Sequence, residues 1–183
     1  MSKSSEEHQQ RIAHWRAAVD SARGRLAPAG VAALHDVARR SGLQFLEAIG
    51  RGELPSVPIG HTLDFWPIEV EHGRMVFQGE PAVAHLNPLG TVHGGWIATL
   101  LDSALACAVQ STVPVGSGST TLELKINYVR ALTAGAGPVR AEGKVIQAGA
   151  RVGTAEGRLT DAAGRLYAFA TTTCLVVPIA PAA

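Results

Sequence analysis

The apolar positions change their period along the chain. Over the first 48 residues they recur at helical spacing. Ile12, Trp15, Ala18 and Val19 form one stripe behind the polar run Glu6, Glu7, Gln9, Gln10 and Arg11. The segment from Gly24 to Gly30, with Pro28 inside it, breaks that stripe. A second one runs through Val31, Leu34, Val37, Leu43, Phe45 and Leu46. The stretch from Gly50 to Pro58 reads as a linker by composition. The pattern predicts an N-terminal helical extension with its linker over residues 1–55, a main domain over 56–178 and a short Ala/Pro tail over 179–183.

From about residue 60 the spacing becomes that of strands. Thr62–Val70 and Arg74–Gly79 read as two strands joined by the tight turn Glu71-His72-Gly73. After a loop comes a long apolar segment from Gly94 to Gln110. The Gly/Ser-rich loop Pro114–Ser119 follows, then strands over Thr121–Val129, Val139–Ala148, Val152–Thr160 and Arg165–Val177, the last two joined by a turn at 161–164. Strict alternation in the first of these puts Thr121, Glu123, Lys125 and Asn127 on one face and Leu122, Leu124, Ile126 and Tyr128 on the other. Two strands, one long helix and four more strands make an α+β fold.

The segment Trp96–Gln110 is apolar nearly all round, which marks a helix buried on most sides. A sheet wrapped around it is the simplest way to bury it. Composition sharpens this point. The chain of 183 residues has 16 Lys and Arg against 15 Asp and Glu, a net charge of +1, and only 17% charged residues against 46% hydrophobic. That balance excludes a nucleic-acid binder working through a basic surface and a generally disordered chain. No apolar run reaches the roughly 18–20 residues of a membrane span. Residues 1–10 are polar and carry no signal-peptide core, so a cytoplasmic location is expected. Between Glu80 and Glu123 lie 42 residues, of which Asp102 alone is charged. About seven would be expected at the chain's own charge density.

A carboxylate inside a buried helix is costly unless it is hydrogen-bonded or faces a polar cavity. Its helical neighbours Ala98, Thr99, Leu105 and Ala106 offer no cation, and the alanines leave room beside it. The helix begins at His93-Gly94-Gly95. Unpaired backbone N–H groups there can hold an anion or a developing oxyanion, and the glycines allow a ligand or another chain to come close. Gly94 and Asp102 are eight residues apart, roughly 12 Å at about 1.5 Å per residue. Groups acting on one carbonyl must lie within about 3–3.5 Å of the reacting atoms. One chain cannot easily bring both to the same carbonyl, whereas two antiparallel copies of the helix would. If this is an active site, it is most simply one shared across a dimer.

The run Asn87-Pro-Leu-Gly-Thr-Val-His93-Gly94-Gly95, followed by Leu100-Leu-Asp102-Ser-Ala104 and by Thr120-Thr-Leu-Glu-Leu-Lys-Ile-Asn-Tyr128, resembles the signature of hotdog-fold thioesterases of the phenylacetate-degradation (PaaI-like) type. The resemblance covers roughly residues 60–178 and leaves the extension aside. It implies a hotdog fold, a homodimer or a tetramer of such dimers, and hydrolysis of acyl-CoA thioesters. Carried over by position, Asp102 is the nucleophile or the general base, the Gly94 N–H polarises the thioester carbonyl, and Asn87 positions the carbonyl or the water. A hydroxyl of the second subunit, Thr121 or in another register Thr120, orients the water. His93 acts in the chemistry or only at the start of the helix.

No metal is expected: His85 and His93 are eight apart across a Pro/Gly loop, and no HxxxH or CxxC pair occurs. No cofactor is expected beyond the CoA of the substrate. Cys107 and Cys174 read as reduced packing residues. CoA would bring phosphates to basic residues, with Arg130, Arg151 and Lys144 as candidates; Gly95 would lie against the substrate. Trp96, Trp66, Phe65 and Tyr128 serve an acyl pocket or the core. Two other functions compete: a non-catalytic acyl-CoA or lipid-binding module, and an enoyl-CoA hydratase or dehydratase.

Overall fold

Gly94–Gln110 forms one helix, α5, and the rest of the main domain is organised around it. Its buried side chains include Trp96, Ile97, Leu100, Leu101, Ala104 and Leu105. The computed structural model describes residues 3–179, so all of the expected tail except Ile179 lies outside the described residues. Six strands surround the helix: β3 (Phe65–Glu71), β4 (Arg74–Gly79), β5 (Ser117–Tyr128), β6 (Val139–Ala148), β7 (Val152–Asp161) and β8 (Leu166–Pro178). They form one antiparallel sheet in the order β3-β4-β6-β7-β8-β5, and α5 touches every strand from β4 to β8. This is the α+β hotdog arrangement that the sequence implies.

The helix lies very close to the sheet because small residues meet there. A Cβ on Gly143 of β6 would overlap the Ala104 carbonyl, and one on Gly157 of β7 would overlap Leu105. Ala104 and Ala108 are fully buried opposite them. The seat fixes which side of α5 faces the sheet and therefore which side does not.

Strand β5 departs from strict alternation. Thr121 pairs with Cys174 and Glu123 with Thr173, so Leu122 is an extra residue, a bulge, and is 59% exposed. Thr121 therefore shares the helix-facing side with Leu124 and Ile126 instead of lying opposite them. Strand β5 also begins at Ser117, taking in part of the expected Gly/Ser-rich loop. The first strand begins later than expected, because residues 58–63 form a short helix, α4 (Pro58–Leu63), with Pro58 pre-set for the first turn.

The extension comprises α1 (Lys3–Arg25), β1 (Ala27–Ala29), α2 (Leu34–Ala38), α3 (Gly42–Gly50) and β2 (Pro55–Ser56). The expected linker is thus structured, with Leu54 buried and β2 paired in parallel with β1. Val31 and Leu34, placed in a helical stripe by their spacing, are exposed; Ser41 starts α3 anew with a capping box to Gln44. Helix α1 crosses the outer face of the sheet. Arg11 donates to the Ala162 carbonyl, Gln78 donates to the Trp15 carbonyl, Arg140 lies 4.3 Å from the Trp15 ring, and Arg16 pairs with Glu80. Arg23 pairs with Asp64 and lies over Trp66. Among the described residues no helix is long and apolar enough to cross a membrane.

The turn at 161–164 is held by Asp161, a nearly fully buried carboxylate. Burial alone would push its pKa up. Hydrogen bonds from the Arg165 backbone and side chain, the Tyr167 hydroxyl and the Ala163 N–H outweigh that and hold it below the ordinary carboxylate range.

Two outcomes follow from these contacts. Gly143→Ala forces a methyl into the helix seat and costs about 1–3 kcal/mol, read as a lower midpoint in chemical denaturation. The depressed Asp161 pKa stabilises the fold above the unfolded-state carboxylate pKa, near 3.9, and that stability is lost as pH falls through the folded value. Asp161→Asn should lower stability at pH 7 and flatten the acid limb of a stability–pH curve. An unchanged acid limb would count against the network.

Candidate active site

One stripe of α5 is left uncovered by its own sheet. Ala98, Thr99, Asp102, Ser103, Ala106 and Cys107 are half-buried along it, between flanks that are buried. Asp102 thus stands on the open side of the helix. Its Oδ1 accepts a hydrogen bond from Thr121 Oγ1 at 2.9 Å, and no Lys, Arg or His among the described residues forms an ion pair with it. Both groups of this bond belong to one chain. Thr120 is exposed on the other side of β5, so of the two it is Thr121 that faces the helix. Burial, and then the Asp102 carboxylate, push the Cys107 thiol up to about 12. A thiol held protonated in this way is a poor nucleophile.

The start of α5 has its donors unevenly used. His93 is the N-cap, and its Nδ1 accepts from the Gly95 N–H at 2.9 Å. That fixes the proton of a neutral His93 on Nε2. The Trp96 N–H bonds to the His93 carbonyl. The Gly94 N–H has no acceptor among the described residues. Of the two glycines, Gly94 therefore keeps a donor for a ligand and Gly95 does not. Tyr128 closes the other side of Gly94: its hydroxyl donates to the Gly94 carbonyl at 2.9 Å, and a Cβ on Gly94 would come within 3.2 Å of the phenol ring. A hollow of about 340 Å³ opens beside this helix end, lined in part by Thr91, Gly94, Tyr128 and Arg130.

Asn87 is largely occupied by its own loop. Its Oδ1 accepts from the N–H groups of Leu89 and Thr91, and its Nδ2 donates to Thr91 Oγ1, which leaves one amide hydrogen. The basic candidates separate. Arg130 borders the hollow at Gly94, with its side chain near the Leu166 carbonyl. Arg151 lies beside Val176, at the far end of β8, so in one chain the two arginines are on the order of 30 Å apart at about 3.3 Å per residue. Lys144 pairs with Glu142 on the outer side of β6, away from α5.

Of the aromatic candidates, Trp96 belongs to the core. It is stacked on His85 with its indole N–H on the Leu63 carbonyl. Phe65 and Trp66 face an apolar cavity whose other walls come from the extension and from Ser103 and Cys107 of α5. That the extension caps a pocket is one of three roles its sequence leaves open, beside assembly and covering a sheet face; the residues that do so are not singled out by the sequence. They are scattered singly through a Pro/Gly-rich stretch, without a period that could have disclosed them. The hydroxyl of Tyr128 on Gly94 also went unread, since alternation gives a face but not a partner. Among the described residues no group of three or more His, Cys, Asp or Glu could hold a metal ion.

Residues 89–168, which include α5, Asp102 and Thr121, match the Thioesterase superfamily. Two proteins described as candidate esterases are 39% identical: one from Caenorhabditis elegans over 66 residues (36% of this chain, 38% of its own length) and one from Halobacterium salinarum over 69 residues (37% and 44%). The chain thus spans well under half the length of these two relatives. A crystal structure of a candidate thioesterase related to phenylacetic acid degradation, from Ralstonia eutropha, superposes with a TM-score of 0.65. It is 30% identical, and the alignment covers 70% of this chain and 97% of that one. Together with the helix-and-strand site, these similarities show that the chain belongs to the thioesterase superfamily, as a PaaI-like member with the hotdog fold.

Proposed function

We propose that the protein hydrolyses acyl-CoA thioesters to the free acid and CoA, at a site completed by two copies of the chain. The observation that carries this reading is the pairing, on one helix, of an unbonded Gly94 N–H at the start and a lone carboxylate on the open stripe. Two antiparallel copies bring Gly94 of one beside Asp102 of the other. The Gly94 N–H donates to the thioester oxygen as it becomes an oxyanion, an interaction typically worth about 10²–10³ in rate. Thr121 holds Oδ1 of Asp102 and leaves Oδ2 for the reaction. In one route Asp102 takes a proton from water as the water oxygen bonds to the carbonyl carbon. In the other its own oxygen forms that bond first and water then cleaves the anhydride. In both, the carbon–sulfur bond breaks and the CoA thiolate receives the proton.

His93 Nε2–H and the remaining amide hydrogen of Asn87 are further donors at the same helix end. Arg130 beside Gly94 and Arg151 of the second copy supply positive charge for the CoA phosphates. No bound cofactor is needed, and a cytoplasmic homodimer or a tetramer of such dimers is the expected form.

Asp102→Asn should lower kcat by about 10²–10⁴ across an acyl-CoA panel read by thiol release, with an unchanged melting curve. Full activity would overturn the role of Asp102, and tight binding without turnover in the unaltered protein would favour a binding module. A single turnover in heavy-oxygen water tests the second route: label in Asp102 marks an anhydride opened at the aspartate carbon and so the nucleophile. Gly94→Pro removes the N–H at a helix position that tolerates proline, although the Tyr128 ring must give way. Dimers mixing a Gly94→Pro chain with an Asp102→Asn chain should regain a single intact site, while either variant alone stays inactive. Mixed dimers without activity would exclude a shared site.

A further inference from the structure

We infer that the cavity between the extension and α5 takes the acyl group and that residues 26–61 set its size, which suits a compact, uncharged group of about six carbons or a single ring. This inference rests on the acyl-CoA reading above. Ser103, the residue after Asp102, and Cys107, both on the open stripe of α5 that carries the carboxylate, form one wall of the cavity. Leu26, Leu46, Ile49 and Ile59 form the opposite wall. Leu26, Leu46 and Ile49 belong to the extension, and Ile59 to α4 directly after it.

Size and polarity define the occupant. The cavity holds about 80 Å³. One water-sized sphere takes roughly 10–15 Å³, so there is room for on the order of six heavy atoms. Phe65 and Phe77, in edge-to-face contact at 5.6 Å, give it an aromatic floor. Among the described residues no Asp, Glu, Lys or Arg lines it. The Ser56 hydroxyl is already used. It donates to the Ala27 carbonyl at 2.7 Å, and, having one hydrogen, it can only accept from His61 Nε2, also at 2.7 Å. That oxygen ties β1, β2 and α4 together and keeps the wall in place. His61 is the one lining residue able to carry charge, so a carboxylate on the acyl group would meet no Lys or Arg there and would enter at a desolvation cost.

The test compares hydrolysis of butanoyl-, hexanoyl-, decanoyl- and succinyl-CoA, together with calorimetric binding of the unreactive thioethers S-hexyl-CoA and S-decyl-CoA. Hexanoyl-CoA should be preferred, and succinyl-CoA refused. Leu46→Ala should raise the decanoyl-to-hexanoyl ratio of kcat/KM by roughly ten-fold, with a matching gain for S-decyl-CoA. Ile59→Trp, at a position 44% exposed and so tolerant of a larger side chain, should move the preference to butanoyl-CoA. Melting curves confirm that both variants fold. Unchanged chain-length profiles in folded variants, or no binding of either thioether, would overturn the inference. Chain-length-selective binding that the variants shift, without turnover of any thioester, would sustain the cavity assignment and overturn hydrolysis instead.

Discussion

The close seating of α5 on β6 and β7 governs the rest of the molecule. Gly143 and Gly157 remove the side chains that would hold the helix away, and Ala104 and Ala108 do the same from the helix side. A helix seated this tightly cannot rotate without driving Leu105 or the Ala104 carbonyl into a strand. Its opposite stripe is thereby fixed as well. Asp102 faces outward at a set angle, Thr121 meets it from β5, and the first turn is presented at a set distance along the axis. The site is a by-product of a packing constraint several residues away from it.

Charge is distributed in keeping with that geometry. The inner surface around α5 carries Asp102 and little else, whereas the outer face of the sheet carries a dense set of paired charges. Arg74 bridges Glu69, Glu71 and Glu142, and Arg140 also reaches Glu69. Helix α1 covers part of this face with Trp15 stacked on Arg140. These outer charges are paired while remaining partly open to water. The one carboxylate on the inner stripe is left with a single neutral hydrogen-bond donor and, among the described residues, no cation.

Much of this was legible in the sequence because it depends on local pattern. The long apolar segment became α5 with the expected limits, the four later strands formed in order, and the charge-poor stretch singles out Asp102 by composition alone. The bulge at Leu122 was not legible, since an extra residue leaves the alternation of Leu124, Ile126 and Tyr128 intact and only breaks phase with Thr121. Gly94 and Gly95 looked equivalent as residues; the His93 ring distinguishes them, and side-chain direction has no sequence signature. The extension was read as helices and a linker. Leu54, Ser56 and Ile59 act through contacts with residues far along the chain, and isolated positions of that kind carry no period.

Residues 87–128 hold the Asp102, Gly94 and Thr121 arrangement, while half of the cavity wall comes from residues before position 62. The two stretches are joined by packing and not by sequence continuity. Substitutions in the first can be selected almost without reference to those in the second. Under the proposed function, a lineage carrying this extension can change which acids it releases while the Asp102, Gly94 and Thr121 arrangement stays constant, simply through drift among Leu, Ile, Val and Ala in a region that resembles a connecting segment.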